Sequence, residues 1–221
     1  MGMNIAIDGP AGAGKSTIAR LVSEKLGFIY VDTGAMYRTI ALYLLRNGID
    51  CEDENALSDA LEKMQIGIGY ENGMQQMLLN GENVTGLIRS EEVSQMASIS
   101  SAKPVVREKL MDLQRNLARE NDVLMDGRDI GTRILPDAGL KIFLTASVEA
   151  RAQRRFLEMQ EKGIECSLEE IQKDIEERDW RDSHRETAPL KQAEDAVLVD
   201  TSDMSIGEVT EHIIRLAESR M

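Results

Sequence analysis

The sequence predicts an α/β fold in which a parallel sheet is flanked by helices. Short apolar runs with strand character alternate along the chain with longer segments whose apolar residues recur at helical spacing. A glycine-rich loop joins the first predicted strand to the first predicted helix. Parallel strands need a long crossover between them, usually a helix, so this alternation indicates a parallel sheet. The 221 residues are enough for one substantial core with appended subdomains.

The first quarter of the chain contains two predicted strands and three predicted helices. Residues 4–8 form an apolar run, and the apolar residues after the glycine loop recur at helical spacing. Gly48 follows a segment whose apolar residues share one face, and glycine is the usual residue just beyond a helix end. We therefore predict strands at 4–8 and 28–31, a helix after the loop, and helices at 35–46 and 54–64.

Residues 65–89 have a different character from the rest of the chain. Ile66, Ile68 and Tyr70 alternate with glycines, and the segment contains two turn signals, at 71–73 and 80–81. This pattern predicts a small antiparallel unit that is inserted into the alternating domain. Such a unit is too small to hold a core by itself.

The remainder of the chain returns to alternating strands and helices. Pro104 breaks a mostly helical segment at 93–119, since proline is not tolerated inside a helix. Ser147 is a plausible N-cap, and Ser167 and Ser205 each precede a glutamate by three residues, the spacing of a capping box. We predict strands at 123–125, 140–144 and 196–199, and helices at 147–162, from 167 onward and at 205–219.

These elements predict one domain with two excursions from its core. The predicted core comprises residues 1–32, 104–155 and 191–221. The first excursion covers residues 33–103 and contains the antiparallel insert, and the second covers residues 156–190. Neither excursion adds a strand to the predicted parallel sheet.

Charge and composition exclude several classes of protein. The formal net charge is −13, which disfavours nucleic acid as a partner because phosphate backbones select basic surfaces. No apolar run is long enough to span a bilayer. Cys51 and Cys166 lie far apart in the sequence, so we expect free thiols, as in a reducing cytoplasm. The chain enters its first predicted strand almost at once, so we expect no secretory signal and a cytoplasmic protein. With only two histidines, a zinc site is not expected.

The loop at residues 9–16 reads G-x-x-x-x-G-K-S, the pattern of a phosphate-binding loop. Its glycines allow main-chain N–H groups to converge on phosphate oxygens, and the following helix contributes the partial positive charge of its N-terminus. Lys15 can reach the β- and γ-phosphates of a nucleotide, and the Ser16 hydroxyl can bind Mg²⁺. The flanking strand and helix make a chance match improbable.

Three aspartates follow predicted strands, at the sheet edge where ligands of such folds bind. Asp8 is interpreted as a residue that caps a turn or helix. For Asp32 and Asp126 two interpretations stay open, because each could cap a helix or turn or could hold waters of a Mg²⁺ ion.

Arginines are clustered, which stands out in an acidic chain. Arg178, Arg181 and Arg185 are spaced to share one helix face, where they could form surface ion pairs or bind a polyphosphate. A ligand-binding role is favoured over surface ion pairs for Arg181 and Arg185. It is also favoured for Arg38 and Arg128, which lie beside the proposed ligand edge. For Arg154, a solvated surface position with salt bridges is favoured. His184 is interpreted as a surface residue.

Three longer motifs lie at these same positions. They are DTGAMYR at 32–38, DGRDIGT at 126–132, and RDWRD at 178–182, which continues through Arg185 to APL at 188–190. With the phosphate loop, they make the chain resemble bacterial cytidylate kinases, a family of nucleoside monophosphate kinases, over essentially its whole length. The resemblance implies a P-loop fold with an inserted monophosphate-binding subdomain at 33–103 and a lid at 156–190.

The resemblance also implies a role for each residue of the predicted site. ATP would bind Gly9, Pro10, Ala11, Gly12, Ala13, Gly14, Lys15, Ser16 and Thr17, with Arg151 and Arg155. The CMP phosphate would bind Thr33, where the family commonly has serine, with Arg38, Arg128 and Arg185. Ser98, Arg107 and Asp129 would read the cytosine edge, and Arg178 and Asp182 would contact the sugar. The implied catalytic residues are Lys15, Arg128, Arg181 and Arg185.

The implied reaction is the Mg²⁺-dependent, in-line transfer of a phosphoryl group from ATP to CMP or dCMP by a monomeric cytoplasmic enzyme. Asp129 could instead only position Arg128 through an ion pair. Another small-molecule P-loop kinase, similar to shikimate kinase, is the nearest alternative function. A nucleotide-dependent switch is disfavoured because the sequence lacks the guanine-reading N-K-x-D motif.

Overall fold

The computed structural model describes residues 3–221, so residues 1 and 2 of the predicted core lie outside the described range. Five parallel strands form the central sheet in the order β2-β6-β1-β7-β8. Helices cover both faces of this sheet. The predicted α/β class is therefore confirmed.

The strands and helices follow one another in the order that the sequence predicts. The strands are β1 (Ile5–Asp8), β2 (Ile29–Asp32), β3 (Ile66–Glu71), β4 (Met74–Leu79), β5 (Glu82–Asn83), β6 (Val123–Gly127), β7 (Leu140–Thr145) and β8 (Val197–Asp200). The helices are α1 (Lys15–Leu26), α2 (Thr33–Asn47), α3 (Glu54–Lys63), α4 (Glu91–Ser100), α5 (Pro104–Glu120), α6 (Val148–Glu161), α7 (Leu168–His184) and α8 (Ile206–Glu218).

Two local features differ from the prediction. Helix α2 begins two residues earlier than predicted, because the Asp32 carboxylate caps it by accepting from the Ala35 N–H. The break predicted at Pro104 is confirmed, since α5 begins there and the missing N–H of a proline costs nothing in the first turn of a helix. A short π-helical turn at Ile130–Ile134 has no signature in the sequence.

Side chains of β1 alternate between two separate layers of the core. Ile5 and Ile7 pack with α1 and α8 on one face of the sheet. Ala6 faces the other side, where the larger cluster includes α2, α4 and α5. Both layers are fully buried at the sheet, so the strands are held rigidly and the loops at their carboxyl ends have a fixed base.

The two excursions attach to this core in different ways. Strands β3, β4 and β5 form the antiparallel insert, which places Met77 and Leu79 in the larger core cluster. Helices α6 and α7 instead share a small cluster around Ala152, Ile171 and Ile175. Between residues 3 and 221, no helix is both long and apolar enough to cross a membrane.

Candidate functional site

A cavity of about 770 Å³ lies beyond the carboxyl ends of the central strands. Its volume is within the usual range for small-molecule sites. The glycine loop forms its base, and α2, α4, α6 and α7 contribute walls. The antiparallel strands contribute no lining residue. The site is therefore at the sheet edge that the sequence predicts.

The glycine loop has the backbone that a phosphate cradle requires. Gly12 and Gly14 adopt positive φ angles of 76° and 86°. A Cβ at Gly9, whose φ is 151°, would lie 1.9 Å from the Leu144 carbonyl oxygen. Glycine at position 9 is thus required by packing against β7, and Gly9 and Pro10 do not line the cavity. The remaining predicted loop residues, Ala11 to Thr17, do line it.

Lys15 is buried at the base of the cavity. Its Nζ atom donates to the Pro10 carbonyl oxygen at 2.6 Å. Burial lowers the pKa of the Lys15 ammonium well below its usual value, and the nearby Arg128 charge lowers it further. An anion beside Lys15 would favour its charged form, so this side chain is poised to meet a phosphate.

Asp126 receives two hydroxyl groups at the end of β6. Ser16 donates to its Oδ2 at 2.9 Å, and Tyr30 donates to its Oδ1 at 3.0 Å. Asp32 acts as the N-cap of α2 and pairs with Arg38 at 3.0 Å, so its capping interpretation is confirmed. Asp8 also caps, because it accepts from the N–H groups of Ile130 and Gly131.

The donor set around Ser16 fits a magnesium ion that is shared with substrate. Mg²⁺ typically binds one or two carboxylates, several waters and substrate phosphates. Ser16 and Asp126 supply a hydroxyl and a carboxylate at the cavity base. No cluster of three or more carboxylate, imidazole or thiol ligands exists in the part of the chain that the structure describes. The residues therefore suit a nucleotide-bound ion rather than a site built from protein ligands alone.

Replacing Asp126 with asparagine should change how stability depends on pH. Burial, aided by the Asp32 charge, raises the pKa of Asp126 to about 6. A raised carboxyl pKa stabilises the fold below the unfolded value near 3.8, and this contribution is lost as pH rises through 6. Relative to wild type, Asp126→Asn should therefore gain on the order of 2 kcal/mol in unfolding free energy between pH 4 and pH 7. Parallel denaturation profiles for the two proteins would contradict this.

Cationic side chains converge on the cavity from several elements. Arg128 Nε donates to Asp182 Oδ2 at 2.8 Å, which ties the end of β6 to α7. The pKa of Asp182, which burial would raise, is lowered by the charge and hydrogen bond of Arg128. Burial, with the nearby Arg128 charge, lowers the pKa of Arg178 to about 10. Like charges at this spacing repel, so an anion at their centre would stabilise the cluster.

Several buried N–H donors of the cavity arginines are suited to an anionic ligand. Arg38 Nε, Arg178 Nε and Arg185 Nη2 are buried and have no hydrogen-bond partner within residues 3–221. A buried donor without a partner costs about 1–3 kcal/mol, more when it is charged. Phosphate oxygens match the planar guanidinium group. These three residues all line the cavity.

Arg107 and Asp129 form a buried ion pair at the wall opposite the glycine loop. Arg107 Nη2 donates to Asp129 Oδ2, and Arg107 Nη1 donates to the Ser101 carbonyl oxygen at 3.0 Å. The guanidinium also lies 5.3 Å from the centre of the Tyr37 ring. Asp129 therefore pairs with Arg107, and Arg128 pairs with Asp182, so the alternative in which Asp129 positions Arg128 is wrong. Ser98 lines the same wall.

Three further predicted site residues lie at the cavity: Thr33, and Arg151 and Arg155 of α6. Thr33 Oγ1 donates to the Asp126 carbonyl oxygen at 2.7 Å and lines the cavity. Arg151 is engaged by protein groups, because it donates to the Ala11 carbonyl oxygen and pairs with Asp179 at 2.6 Å. Arg155 lines the cavity and reaches Glu91 at 3.4 Å.

The prediction of one shared arginine face on α7 needs correction. The helix ends at His184, and Arg185 is its C-cap residue in an extended conformation. Arg178 and Arg185 line the cavity, whereas Arg181 is exposed beside Trp180 on another face. The role predicted for Arg181 stays a prediction and requires α7 to move. His184 is exposed, as expected, and stacks on Trp180.

Arg154 and the segment that joins β8 to α8 were not predicted as cavity residues. Arg154, which the sequence predicts as a solvated surface residue, lines the cavity and donates to Thr201 Oγ1 at 3.2 Å. Met204, with Ile206 and Val209 of the first turn of α8, adds an apolar wall. No sequence motif marks these residues. For the β8–α8 segment, the available signal is its position after a strand, at the ligand edge of the sheet.

Comparison with known proteins gives one consistent result. The family model described as cytidylate kinase matches residues 5–219. A cytidylate kinase from Lactobacillus gasseri is 50% identical over 218 residues, covering 99% of this chain and 95% of that protein. One from Listeria innocua is 53% identical over 218 residues, covering 98% and 96%. An uncharacterized protein from Eubacterium ventriosum shares the fold with a TM-score of 0.54, at 14% identity and 99% coverage of both chains. The chain belongs to the cytidylate kinase family.

Proposed function

We propose that this protein transfers the terminal phosphoryl group of ATP to the phosphate of CMP or dCMP. The observation that carries the proposal is the convergence of buried arginines with unpartnered N–H donors on one cavity that also contains the phosphate loop. Such a kinase must bring two phosphate-bearing substrates together. Although the net charge of the chain is −13, cationic side chains are clustered at the cavity where the two phosphates would meet. Membership of the cytidylate kinase family supports the choice of nucleotide.

The two ends of the cavity suit the two nucleotides. The glycine loop and Lys15 would hold the ATP phosphates, and the apolar wall after β8 would accept an apolar ring face next to them. At the other end, Thr33, Arg38, Arg128 and Arg185 would bind the CMP phosphate. Asp129 and Arg107, with Ser98, would read the cytosine edge, and Arg178 and Asp182 would contact the sugar.

The chemistry needs alignment and charge neutralisation more than proton transfer. A CMP phosphate oxygen is already anionic near neutral pH, so it can attack without a strong general base. Lys15 and the arginines would stabilise negative charge on the transferring group, in a site from which water is excluded. Mg²⁺ neutralises ATP phosphate charge when bound, and Ser16 would hold it, with Asp126 and Asp32 acting through water.

We also propose which segments of the chain form the CMP site, the lid and the core. Residues 33–103 would carry the CMP site and residues 156–190 the lid, both on the core of residues 1–32, 104–155 and 191–221. The proposed enzyme is monomeric and cytoplasmic and binds neither nucleic acid nor membranes; for nucleic acid, the acidic net charge supports this.

A coupled assay of ADP release tests the proposed function. The purified protein is assayed with ATP, Mg²⁺ and each of CMP, dCMP, UMP, AMP and GMP, and with shikimate as the substrate of the nearest alternative. The highest kcat/KM should be found with CMP and dCMP. Turnover of shikimate without turnover of CMP would overturn the proposal.

Hydrogen exchange in residues 156–190 should slow when both nucleotides are bound. This segment has only a small apolar cluster, and it reaches the core through the pairs Arg128–Asp182 and Arg151–Asp179. CMP with a non-hydrolysable ATP analogue should order it, which exchange mass spectrometry can measure. The C-terminal half of α8, residues 213–218, packs in the core and does not line the cavity, so it serves as the internal control. Equal exchange with and without ligands would refute a mobile lid.

A further inference from the structure

Gln75 lies on β4 of the antiparallel insert, and its carboxamide meets the main chain at the end of β2. The Asp32 N–H donates to Gln75 Oε1 at 2.8 Å, and Gln75 Nε2 donates to the Asp32 carbonyl oxygen at 3.2 Å. Strand β2 is an edge of the parallel sheet, so its outward main-chain groups need partners from elsewhere. The carboxamide supplies both a donor and an acceptor at this one residue.

Asp32 positions the residues that face the proposed acceptor phosphate. Its carboxylate caps α2 through the Ala35 N–H and pairs with Arg38 at 3.0 Å. The next residue, Thr33, begins α2 and donates to the Asp126 carbonyl oxygen. A displacement of the Asp32 main chain would therefore move both Thr33 and Arg38, the two groups that α2 presents to the cavity's phosphate end.

The contact between the insert and β2 is polar and specific. Tyr70 makes a second contact of this kind, because its hydroxyl donates to the Tyr30 carbonyl oxygen at 3.2 Å. Gln75 itself is half-buried, and its Nε2 also lies 3.0 Å from Met77 Sδ. Since the insert contributes no residue to the cavity lining, it can influence the site through its contacts with the core, which are the apolar packing of Met77 and Leu79 and the hydrogen bonds to β2.

We infer that Gln75 is a positioning residue, which holds the Asp32 main chain so that Thr33 and Arg38 stay aligned with the acceptor phosphate. The inference rests on the proposed function, which assigns those two residues to CMP. It gives the antiparallel insert a role in substrate alignment without direct contact. The proposed function assigns the donor nucleotide to the glycine loop, which Gln75 does not touch, and gives Asp32 only a water-mediated contact with its Mg²⁺, so we expect the main effect of Gln75 on CMP.

The test compares Gln75→Ala with two controls inside the insert. Gln76→Ala removes the neighbouring carboxamide, whose hydrogen bonds within residues 3–221 are with Asn83 and Met74 of the insert. Thr85→Ala removes the hydrogen bond from the Met77 N–H, which weakens the insert without touching β2. Gln75→Glu retains length and the acceptor for the Asp32 N–H, but it replaces the donor that faces the Asp32 carbonyl oxygen.

Gln75→Ala should raise the KM for CMP about fivefold to tenfold, as expected for one or two lost hydrogen bonds, and leave the KM for ATP within about twofold. Gln75→Glu should raise the KM for CMP as well, and both controls should behave as wild type. Amide exchange at Asp32, followed by NMR, should accelerate about tenfold in Gln75→Ala but not in Gln76→Ala.

Each contrary outcome overturns a different statement. A wild-type protein that does not phosphorylate CMP defeats the proposed function, whereas the exchange rate at Asp32 still reports on the Gln75 contact. An active wild type with an unchanged KM for CMP in Gln75→Ala defeats the inference alone. An equal rise in Thr85→Ala also defeats it, because the cause would then be the stability of the insert.

Discussion

Replacing Lys15 with methionine is expected to lower kcat for phosphoryl transfer by about 10³-fold, a loss typical of removing one group that stabilises transition-state charge. Lys15 is buried at the base of the cavity and is the cation of the glycine loop. Methionine keeps the length and most of the volume of the side chain, so the loop should keep its shape. The measurement is kcat in the coupled ADP-release assay at saturating ATP and CMP.

The same substitution should not destabilise the fold. Burial lowers the pKa of Lys15 well below its usual value, so the folded state binds the lysine proton less tightly than the unfolded state does, and this costs stability at neutral pH. Lys15→Met should therefore unfold at an equal or higher denaturant concentration than wild type. Lys25→Met, on the exposed side of the same helix, is the matched control and should retain full activity. Near-normal turnover by Lys15→Met would show that Lys15 is not a catalytic residue.

Local signals explain why most of the fold could be predicted from the sequence. The buried parallel strands are short and largely apolar runs, and the serine N-caps Ser147, Ser167 and Ser205 each accept the expected main-chain N–H. The capping box at Ser205 and Glu208 is complete. These features depend on residues within one turn of each other, so sequence spacing is enough to find them.

The pairing of charges inside the site could not be predicted in the same way. Arg128 and Asp129 are adjacent in sequence, yet they pair with Asp182 and Arg107, which are 54 and 22 residues away. Partner choice between several nearby charges depends on where α5 and α7 pack, and periodicity carries no information about this. Arg185 illustrates the same limit, because α7 ends at His184 and Arg185 reaches the cavity from an extended C-cap position that periodicity does not predict.

Gln75 is the clearest residue that no pattern indicates. A glutamine in an antiparallel strand has many possible partners, and its two contacts with Asp32 join residues 43 apart in sequence. The phosphate loop, in contrast, is a continuous motif whose chemistry depends on its own backbone. The donor side of the site was therefore easier to predict than the contacts that align the acceptor side.

Asp129→Asn is expected to shift base preference from CMP towards UMP. Asp129 Oδ2 is engaged by Arg107, and the proposed function assigns the second carboxylate oxygen to the cytosine amino group. Uracil has a carbonyl oxygen in place of that amino group, so wild-type Asp129 would face an acceptor. Sites built on such hydrogen bonds reject mismatched analogues strongly, because a buried polar group is left unpaired.

The asparagine side chain can keep the Arg107 contact through its oxygen and present its NH₂ group to the base. It then donates to the uracil carbonyl and opposes the cytosine amino group. We expect the ratio of kcat/KM for CMP over UMP to fall at least about tenfold, mainly through loss of activity with CMP, since one good hydrogen bond to a base is worth roughly this factor. Asp129→Ala should narrow the ratio as well, but it leaves Arg107 buried without its partner and should destabilise the fold by about 3–5 kcal/mol.

Asp195→Asn provides the control for the same chemical change outside the cavity. Asp195 pairs with Lys141 and does not line the site, so its substitution should leave the ratio of kcat/KM unchanged. If Asp129 only oriented Arg107, Asp129→Asn would weaken both nucleotides alike, because a displaced guanidinium affects any base in the pocket. An unchanged ratio together with reduced kcat/KM for CMP and UMP would therefore assign Asp129 to positioning. A reduced ratio with intact folding would assign it to direct reading of the base, since only a group facing the exocyclic position of the base distinguishes an amino group from a carbonyl oxygen.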